Sequence, residues 1–263
     1  MSIRVKVLGS GASMGVPILG CNCQVCHSKD PRDKRLRSSL LISSGSTRLL
    51  VDCGPDFRAQ FFRFNLHPID AVLITHGHSD HFLGLEDLRG YIYSQKKAIP
   101  VLAHDTTIFE ISSTFHFKIS NFETSNRPLW DTLDLKSFEF FEDITVGNIT
   151  LTPIPLVHGK MIVTGFKVGN FCYCCDANAL PEETKNVVRG CEVLVLGVLS
   201  KEVWLNVFEK KHFFLEQAIE EASALNVKKL YLSHLGHDIS YSIKARLPSW
   251  VDLFYDGLEL VIA

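Results

Sequence analysis

The sequence contains no uninterrupted apolar run that approaches the roughly 18 to 20 residues of a membrane-spanning helix. Residues 1–9 have the pattern of a first strand and lack the apolar core and cleavage site of a secretory signal peptide. Positive charge is not in excess, because 27 Lys and Arg face 29 Asp and Glu, for a formal net charge of −2. These absences predict a cytoplasmic protein with no membrane partner and no broad basic surface for nucleic acid.

Internal repeats, low-complexity tracts and interdomain linkers are also absent, so the 263 residues are predicted to form one domain over 1–263. The hydrophobic content of 46% is sufficient for a well-packed core. The glycine-rich segment 9–17 lacks the Lys-Ser/Thr pair of a Walker loop, and it is predicted to be a tight turn lining a site. The pattern further predicts a β-hairpin over 40–50, with its turn near Gly45, and a helix over 83–93.

Eight cysteines in a chain without a secretion signal favour free thiols or metal ligands over disulfides. Three of them, Cys21, Cys23 and Cys26, lie in a loop at about 20–27. Three thiolates at this spacing are typical of a structural zinc site, and free thiols on a flexible loop are the alternative. The other five are predicted to be small core residues: Cys53, Cys172, Cys174, Cys175 and Cys191.

The densest cluster of candidate metal ligands is His76, His78, Asp80 and His81. It follows the apolar run 70–74, which predicts a buried strand, so the ligands lie on the loop that leaves the strand. Neutral imidazoles suit Zn²⁺, Mn²⁺ or Fe²⁺, and a carboxylate adds a hard oxygen ligand. Burying four such groups without a metal would be costly, so the pattern favours a metal site over a solvated polar turn.

Four more candidates follow strand-like segments elsewhere in the chain. Segments 149–157, 171–175 and 229–233 end at His158, Asp176 and His234, and Asp52 follows the apolar run 49–51. Any one of these residues alone is more commonly structural than a ligand. Their meaning depends on whether the fold brings them to the cluster.

The pattern His76-x-His78-x-Asp80-His81 resembles the signature of the metallo-β-lactamase superfamily. The resemblance implies an α/β fold in which a four-layer αβ/βα sandwich has two mixed β-sheets flanked by helices. It also implies two divalent ions in the active site, Mn²⁺ or Zn²⁺, because the ligand types accept both. The implied ligands are His76, His78 and His158 for one ion, Asp80, His81 and His234 for the other, and Asp176 between them. In this arrangement Asp52 orients a metal-bound histidine.

The Cys loop narrows the resemblance to the PhnP-type phosphodiesterases of this superfamily. In that family a histidine three residues after the last active-site ligand completes the zinc site, which implies His237 as the fourth ligand of one structural Zn²⁺. His27 is the rival, although its adjacency to Cys26 strains tetrahedral binding. The family also places a histidine near the phosphate ahead of its last helix. This implies His212, before the amphipathic pattern 215–222, as a phosphate contact or proton donor; an exposed histidine at a helix start is the alternative.

The implied function is a phosphodiesterase that hydrolyses a small cyclic or nucleotide-like phosphodiester with a hydroxide shared by the two ions, with Asp80 and His212 as catalytic residues. A homodimer is also implied. Two alternatives stay open: another hydrolase of this fold (a thioesterase, lactonase or nuclease), and a non-catalytic protein of the PqqB type, which has a similar Cys loop. The Lys/Arg/Gly-rich arm of the tRNA-processing nucleases is missing. The aromatic segment 103–146 is either an insert that caps the pocket or part of the core.

Overall fold

The computed structural model describes residues 2–115, 133–200 and 211–263. Its strands form two sheets. The first sheet contains β1 (Ile3–Gly9), β2 (Ser39–Ser44), β3 (Thr47–Val51), β4 (Ala71–Leu73), β5 (Pro100–His104), β6 (Asp134–Phe138) and β15 (Glu259–Ile262). Their spatial order is β15-β1-β2-β3-β4-β5-β6, and β3 to β6 run parallel to one another.

The second sheet is likewise mixed. It contains β7 (Ile144–Val146), β8 (Ile149–His158), β9 (Met161–Val168), β10 (Phe171–Cys174), β11 (Val193–Ser200), β12 (Phe213–Phe214), β13 (Lys229–Ser233) and β14 (Val251–Leu253). Their order is β14-β13-β11-β10-β9-β8-β7, and the short β12 pairs with β11. The neighbours β10, β11, β13 and β14 are parallel, so their carboxyl ends meet at one edge of the sheet.

Helices cover the outer face of each sheet. They are α1 (Phe57–Phe64), α2 (Ser79–Phe82), α3 (Leu85–Gln95), α4 (Asp105–Thr114), α5 (Glu182–Val188) and α6 (Leu215–Ala224). Among the described residues, the 3₁₀ helices Pro31–Asp33 and Tyr241–Arg246 lie in the connections. Within the part of the chain that the structure describes, no helix is long and apolar enough to cross a membrane.

Alternate residues of the strands supply different layers of the core. In β3, Leu49 and Val51 point into the space between the two sheets, whereas Leu50 packs under the helices of the first sheet. In β10, Tyr173 points between the sheets, and Cys172 packs on the side of α6. Both faces of each sheet are therefore buried, and the predicted four-layer αβ/βα sandwich is confirmed.

Local predictions are mostly confirmed, with one wrong boundary. The hairpin over 40–50 is β2 and β3, and Gly45 turns it with a φ of +58°. The helix predicted over 83–93 is α3, which begins and ends two residues later, and the short α2 precedes it on the other side of Gly84. The amide of Gly84 donates to the carbonyl of Cys53 at 2.8 Å, and a side chain there would overlap the backbone of Gly54. This close backbone contact separates α3 from α2.

The aromatic segment 103–146 is divided in its role. Phe115 and Phe138 are buried in the core, so this part of the segment is core packing. Phe140 packs partly buried against the core, and Phe141 is exposed. Phe117, Phe122 and Trp130 lie outside the described residues. The five cysteines predicted to be core residues are all buried free thiols.

Candidate metal centres and active site

The first group of ligands lies on the loop that leaves β4. Its strand is central in the first sheet, between the parallel β3 and β5, and the loop passes directly into α2. His76 is buried just beyond the strand, and His78 precedes the first residue of α2. Asp80 and His81 lie within α2 and are buried. Strand and helix thus fix the ligands at both ends of a short loop.

The remaining ligands come from strand ends of the second sheet. His158 ends β8, Asp176 lies two residues beyond β10, and His234 directly follows β13. The amide of Thr164 in β9 donates to the carbonyl of Thr75 at 2.9 Å, which joins the two sheets at this edge. The register of the sheets therefore brings these three distant residues to the β4 loop.

One candidate metal centre consists of His76, His78, His158 and Asp176, whose ligand atoms all lie within 4.8 Å of one another. His76 Nε2 lies 2.9 Å from His78 Nδ1 and 3.8 Å from Asp176 Oδ2. Burial is the main cause that lowers the pKa of each of the three histidines. They are therefore neutral near pH 7, which is the protonation state that binds a metal.

A second candidate centre consists of Asp80, His81 and His234. Asp80 Oδ2 lies 3.2 Å from His81 Nε2 and 3.7 Å from His234 Nε2. Asp176 Oδ2 lies 3.5 Å and 3.4 Å from the same two nitrogens. This oxygen is thus close to both centres. Burial raises the pKa of Asp176, but the adjacent His234 and His81 outweigh burial and hold it well below its usual range.

Unpaired buried atoms show that the donor set fits divalent metal ions. His81 Nε2, His158 Nε2, Asp176 Oδ1 and both ring nitrogens of His234 have no hydrogen-bond partner among the described residues. Such atoms are costly to bury unless another group binds them. Imidazole nitrogens and carboxylate oxygens are the ligand types that Zn²⁺ and Mn²⁺ accept.

Asp52 occupies the orienting position that the sequence predicted. Its Oδ2 accepts a hydrogen bond from His81 Nδ1 at 2.7 Å, and Oδ1 accepts from the amide of Thr75 at 2.9 Å. Burial lowers the pKa of His81, but the carboxylates of Asp52 and Asp176 raise it well above its ordinary value. Without a metal these carboxylates favour the doubly protonated ring. A metal ion would displace the proton on Nε2, while the hydrogen bond to Asp52 would keep the proton on Nδ1 and leave the Nε2 lone pair facing Asp80 and Asp176.

His212 lies against both centres. Its ring stacks on that of His234, with centroids 4.8 Å apart and an interplanar angle of 16°, and it meets the ring of His158 edge-on at 4.7 Å. Its Nδ1 is buried without a partner among the described residues, and burial lowers its pKa to about 3. The alternative of an exposed histidine at a helix start does not fit this position.

The predicted zinc ligands also meet. Nδ1 of His237 lies 3.3, 3.5 and 3.8 Å from the sulfurs of Cys21, Cys23 and Cys26. The amide of Cys26 is the main cause that lowers the pKa of Cys23 to about 6, whereas burial raises that of Cys26 to about 11. The rival, His27, is exposed, and its Nδ1 lies 3.3 Å from the carbonyl oxygen of Cys23. The geometry therefore favours His237.

The turn after His234 connects this cysteine loop to the active site. Leu235 pairs through its backbone with Ser10 and Ala12 of the glycine-rich segment. The buried guanidinium of Arg35 donates to the carbonyls of Gly236 and Ile239. One short turn is therefore held in place between the two sets of ligands.

Sequence inspection missed several residues around the centres. Thr75 Oγ1 donates to Asp52, and Asn178 Oδ1 accepts from the amide of Gly159 at 2.6 Å. Glu110 of α4 lies so close to Gly77 that a side chain at Gly77 would overlap its carboxylate. The carbonyl of Lys211 accepts from His158 Nδ1 at 2.6 Å. Thr75 and Gly77 could have been identified from the sequence, because both adjoin His76. Glu110 could not, because nothing in its neighbouring sequence relates it to the ligands.

Comparison with known proteins identifies the family. A family model described as "Beta-lactamase superfamily domain" matches residues 47–235. This range includes every residue of both candidate centres, whereas the cysteine loop and His237 of the predicted zinc site lie outside it. The chain belongs to the metallo-β-lactamase superfamily. Its fold is that of the superfamily, and its histidine and aspartate clusters are suited to hold divalent metal ions.

Within the superfamily, the predicted resemblance to PhnP-type proteins is confirmed. The chain is similar to a crystal structure described as a new diphosphatase from the PhnP family, at 31% identity and a TM-score of 0.88. That match covers 100% of this chain and 98% of the other.

Two curated superfamily relatives have other names. An octanoyltransferase of Porphyromonas gingivalis is 33% identical over 99% of this chain but only 52% of its own length. The chain therefore spans about half the length of that relative. Coenzyme PQQ synthesis protein B of Methylorubrum extorquens is 35% identical over 73% of this chain and 72% of its own length.

Proposed function

We propose that this protein is a metal-dependent phosphodiesterase that hydrolyses a small cyclic or nucleotide-like phosphodiester. The observation that carries the proposal is the position of His212, which lies against His158 and His234 with a buried, unpaired Nδ1. An imidazole beside two metal centres is suited to hydrogen-bond with the oxygens of a phosphoryl group bound there. Similarity to a PhnP-family diphosphatase supports phosphoryl chemistry.

In this proposal the two candidate centres would each hold a divalent ion, and Asp176, which lies close to the histidines of both, would contribute to both. The ions would supply Lewis acidity and an activated water. His76, His78 and His158 hold the first ion, and Asp80, His81 and His234 the second; Cys21, Cys23, Cys26 and His237 hold the structural zinc. Six of the seven candidate ligands are buried and His78 is half-buried, and together they come from both sheets, so their positions are set before substrate arrives.

The chain's own residues then complete the reaction. Asp80 is ionised, because its contacts with His234 and His81 lower its pKa despite burial. It orients the water that attacks phosphorus. His212 hydrogen-bonds to the phosphoryl group and gives a proton to the leaving oxygen, as the negative charge of a bound substrate favours its protonated form. The buried surroundings strengthen both interactions.

The test is hydrolysis of a substrate panel by metal-reconstituted protein, run beside Asp80→Ala. The panel contains an aryl phosphodiester, cyclic nucleotides, a ribosyl cyclic phosphate, a nucleotide diphosphate ester and short RNA. Asp70→Ala is the control, because Asp70 directly precedes β4, at the end of that strand remote from the loop that leads to Asp80. We expect metal-dependent turnover of small diesters that Asp80→Ala loses at least 100-fold and the control retains.

Near-wild-type turnover in folded Asp80→Ala would contradict this mechanism. No turnover of any phosphodiester by protein that carries its metals would contradict the proposed substrate class.

A second candidate is hydrolysis of an acyl substrate, a thioester or lactone. The observation that favours it is the octanoyltransferase match along 99% of this chain. Because about half of that relative lies outside the match, its printed activity is weak support for this half. Thioesters of octanoic acid added to the same panel distinguish the two candidates.

The PqqB-type alternative is supported by similarity to a coenzyme PQQ synthesis protein. The presence of every predicted ligand in two compact groups argues for catalysis instead. One domain over 1–263, a homodimer, cytoplasmic location and the choice between Mn²⁺ and Zn²⁺ stay predictions. Sedimentation analysis of purified protein tests the homodimer, and metal analysis tests the choice between Mn²⁺ and Zn²⁺.

A further inference from the structure

Lys211 lies beside the first metal centre, where hydrogen bonds hold its backbone in place. Its carbonyl accepts a hydrogen bond from His158 Nδ1 at 2.6 Å, so the residue lies directly behind a candidate metal ligand. Two residues later, the amide of Phe213 donates to the carbonyl of Ala177 at 2.9 Å. The backbone at Lys211 is therefore held by the same strand ends that place His158 and Asp176.

The side chain of Lys211 runs along the rim of the site. A Cβ atom at Gly159 would lie 3.2 Å from its Cγ and 3.6 Å from its Cε, so the aliphatic chain passes over the residue that follows His158. Gly159 has a φ of +63°, which a side chain would also disfavour. The bare backbone at Gly159 leaves room for this path.

Lys211 adjoins the active site on both sides. Its carbonyl accepts from the candidate ligand His158, and the next residue is His212, whose ring meets those of His158 and His234. Lys211 is exposed, and no carboxylate of the described residues pairs with its ammonium group. By contrast, Lys185 pairs with Glu221 at 3.1 Å. An unpaired cation beside metal ligands is suited to bind an anion.

We propose that the ammonium group of Lys211 binds a non-bridging oxygen of the substrate's phosphoryl group and makes the site selective for anionic phosphoesters over neutral carboxylic esters. The proposal rests on the proposed function. It concerns specificity, because an ammonium group attracts a phosphoryl anion but gains little from a neutral ester.

The first measurement is binding of inorganic phosphate to metal-loaded protein by calorimetry. Three variants are compared with wild type: Lys211→Ala, Lys211→Arg and Lys228→Ala. Lys228 is exposed and precedes β13 at the end remote from His234, so it is a matched loss of one positive charge. Zinc content and thermal unfolding establish that each variant is folded and loaded.

We expect Lys211→Ala to weaken phosphate binding by about 10-fold or more, because a charge-assisted hydrogen bond is lost. Lys211→Arg should restore most of the affinity, and Lys228→Ala should leave it unchanged. A steeper dependence on salt in wild type than in Lys211→Ala would agree with a direct ionic contact.

The second measurement is the ratio of kcat/KM for an aryl phosphodiester to that for a neutral aryl ester. We expect Lys211→Ala to lower this ratio about 10-fold, mainly through KM for the diester. Equal phosphate affinity in wild type and Lys211→Ala would overturn the proposal, as would wild-type protein that binds no phosphate. If wild type binds phosphate through Lys211 but hydrolyses no phosphodiester, the proposed function fails and the anion site stands.

Discussion

Replacing Asp52 by asparagine tests how the fold sets the chemistry of a metal ligand. The carboxylate is completely buried, and each of its hydrogen bonds is one that it accepts. The donors are His81 Nδ1 at 2.7 Å, the amide of Thr75 at 2.9 Å and the hydroxyl of Thr75 at 3.0 Å. Asparagine has the same shape but offers one oxygen and one NH₂ group. It cannot accept from His81 and from the Thr75 amide at once.

Either orientation of the new amide has a cost. If its oxygen faces Thr75, its NH₂ group faces His81 Nδ1, which must then lose its proton to Nε2 and give up the lone pair needed for a metal. If its oxygen faces His81, two N–H groups oppose each other and the buried Thr75 amide is unsatisfied, at about 1–3 kcal/mol. Loss of such an orienting partner typically weakens metal affinity 10- to 100-fold, or about 1.4–2.7 kcal/mol.

The assay is competition for Zn²⁺ or Mn²⁺ with a chromophoric chelator, which gives the number and affinity of bound ions. We expect Asp52→Asn to bind one active-site ion weakly and to keep the other and the structural zinc. Asp70→Asn is the control. Asp70 also accepts a hydrogen bond from a backbone amide, that of Arg48, but it lies at the end of the β3–β4 pair that is remote from the metal ligands. Folded Asp52→Asn with two ions at wild-type affinity would refute the reasoning.

Three further predictions concern stability. Cys23→Ser should release one zinc per chain and lower the thermal midpoint by several degrees while folded molecules keep their turnover; unchanged zinc content and midpoint would count against the structural zinc. Gly77→Ala should cost about 1–3 kcal/mol of unfolding free energy, and adding Glu110→Ala should recover part of it; simple additivity in that double-mutant cycle would exclude the contact. Asp256 has a pKa raised to about 6 by burial, so its contribution is greatest below its ordinary pKa of 3.8 and falls by up to about 3 kcal/mol as pH rises to 6 and beyond. The stability advantage of wild type over Asp256→Asn should shrink over that interval, and a constant difference in chemical denaturation would contradict the assignment.

The sequence alone determined the parts of the protein whose signal is local. The cluster from His76 to His81 stands in six positions, and each of His158, Asp176 and His234 follows an apolar run that forms a strand. That these residues meet the cluster was implied by the resemblance to the metallo-β-lactamase superfamily, because a position at a strand end does not by itself identify a ligand. The spacing of the three cysteines in their loop likewise predicted a zinc site. The boundary between α2 and α3 was not predicted, because it depends on contact with the backbone near Gly54.

Only the tertiary structure decided which distant groups touch these ligands. The hydrogen bond of Asp52 to His81, the stacking of His212 on His234 and the path of Lys211 over Gly159 join residues far apart in the chain. Each contact joins the ends of different strands or helices that belong to the same sheet, so it depends on the order and register of the strands in that sheet, which local spacing does not specify. Local spacing therefore indicates the candidate ligands, whereas the contacts made around them depend on how the strand ends are arranged in each sheet.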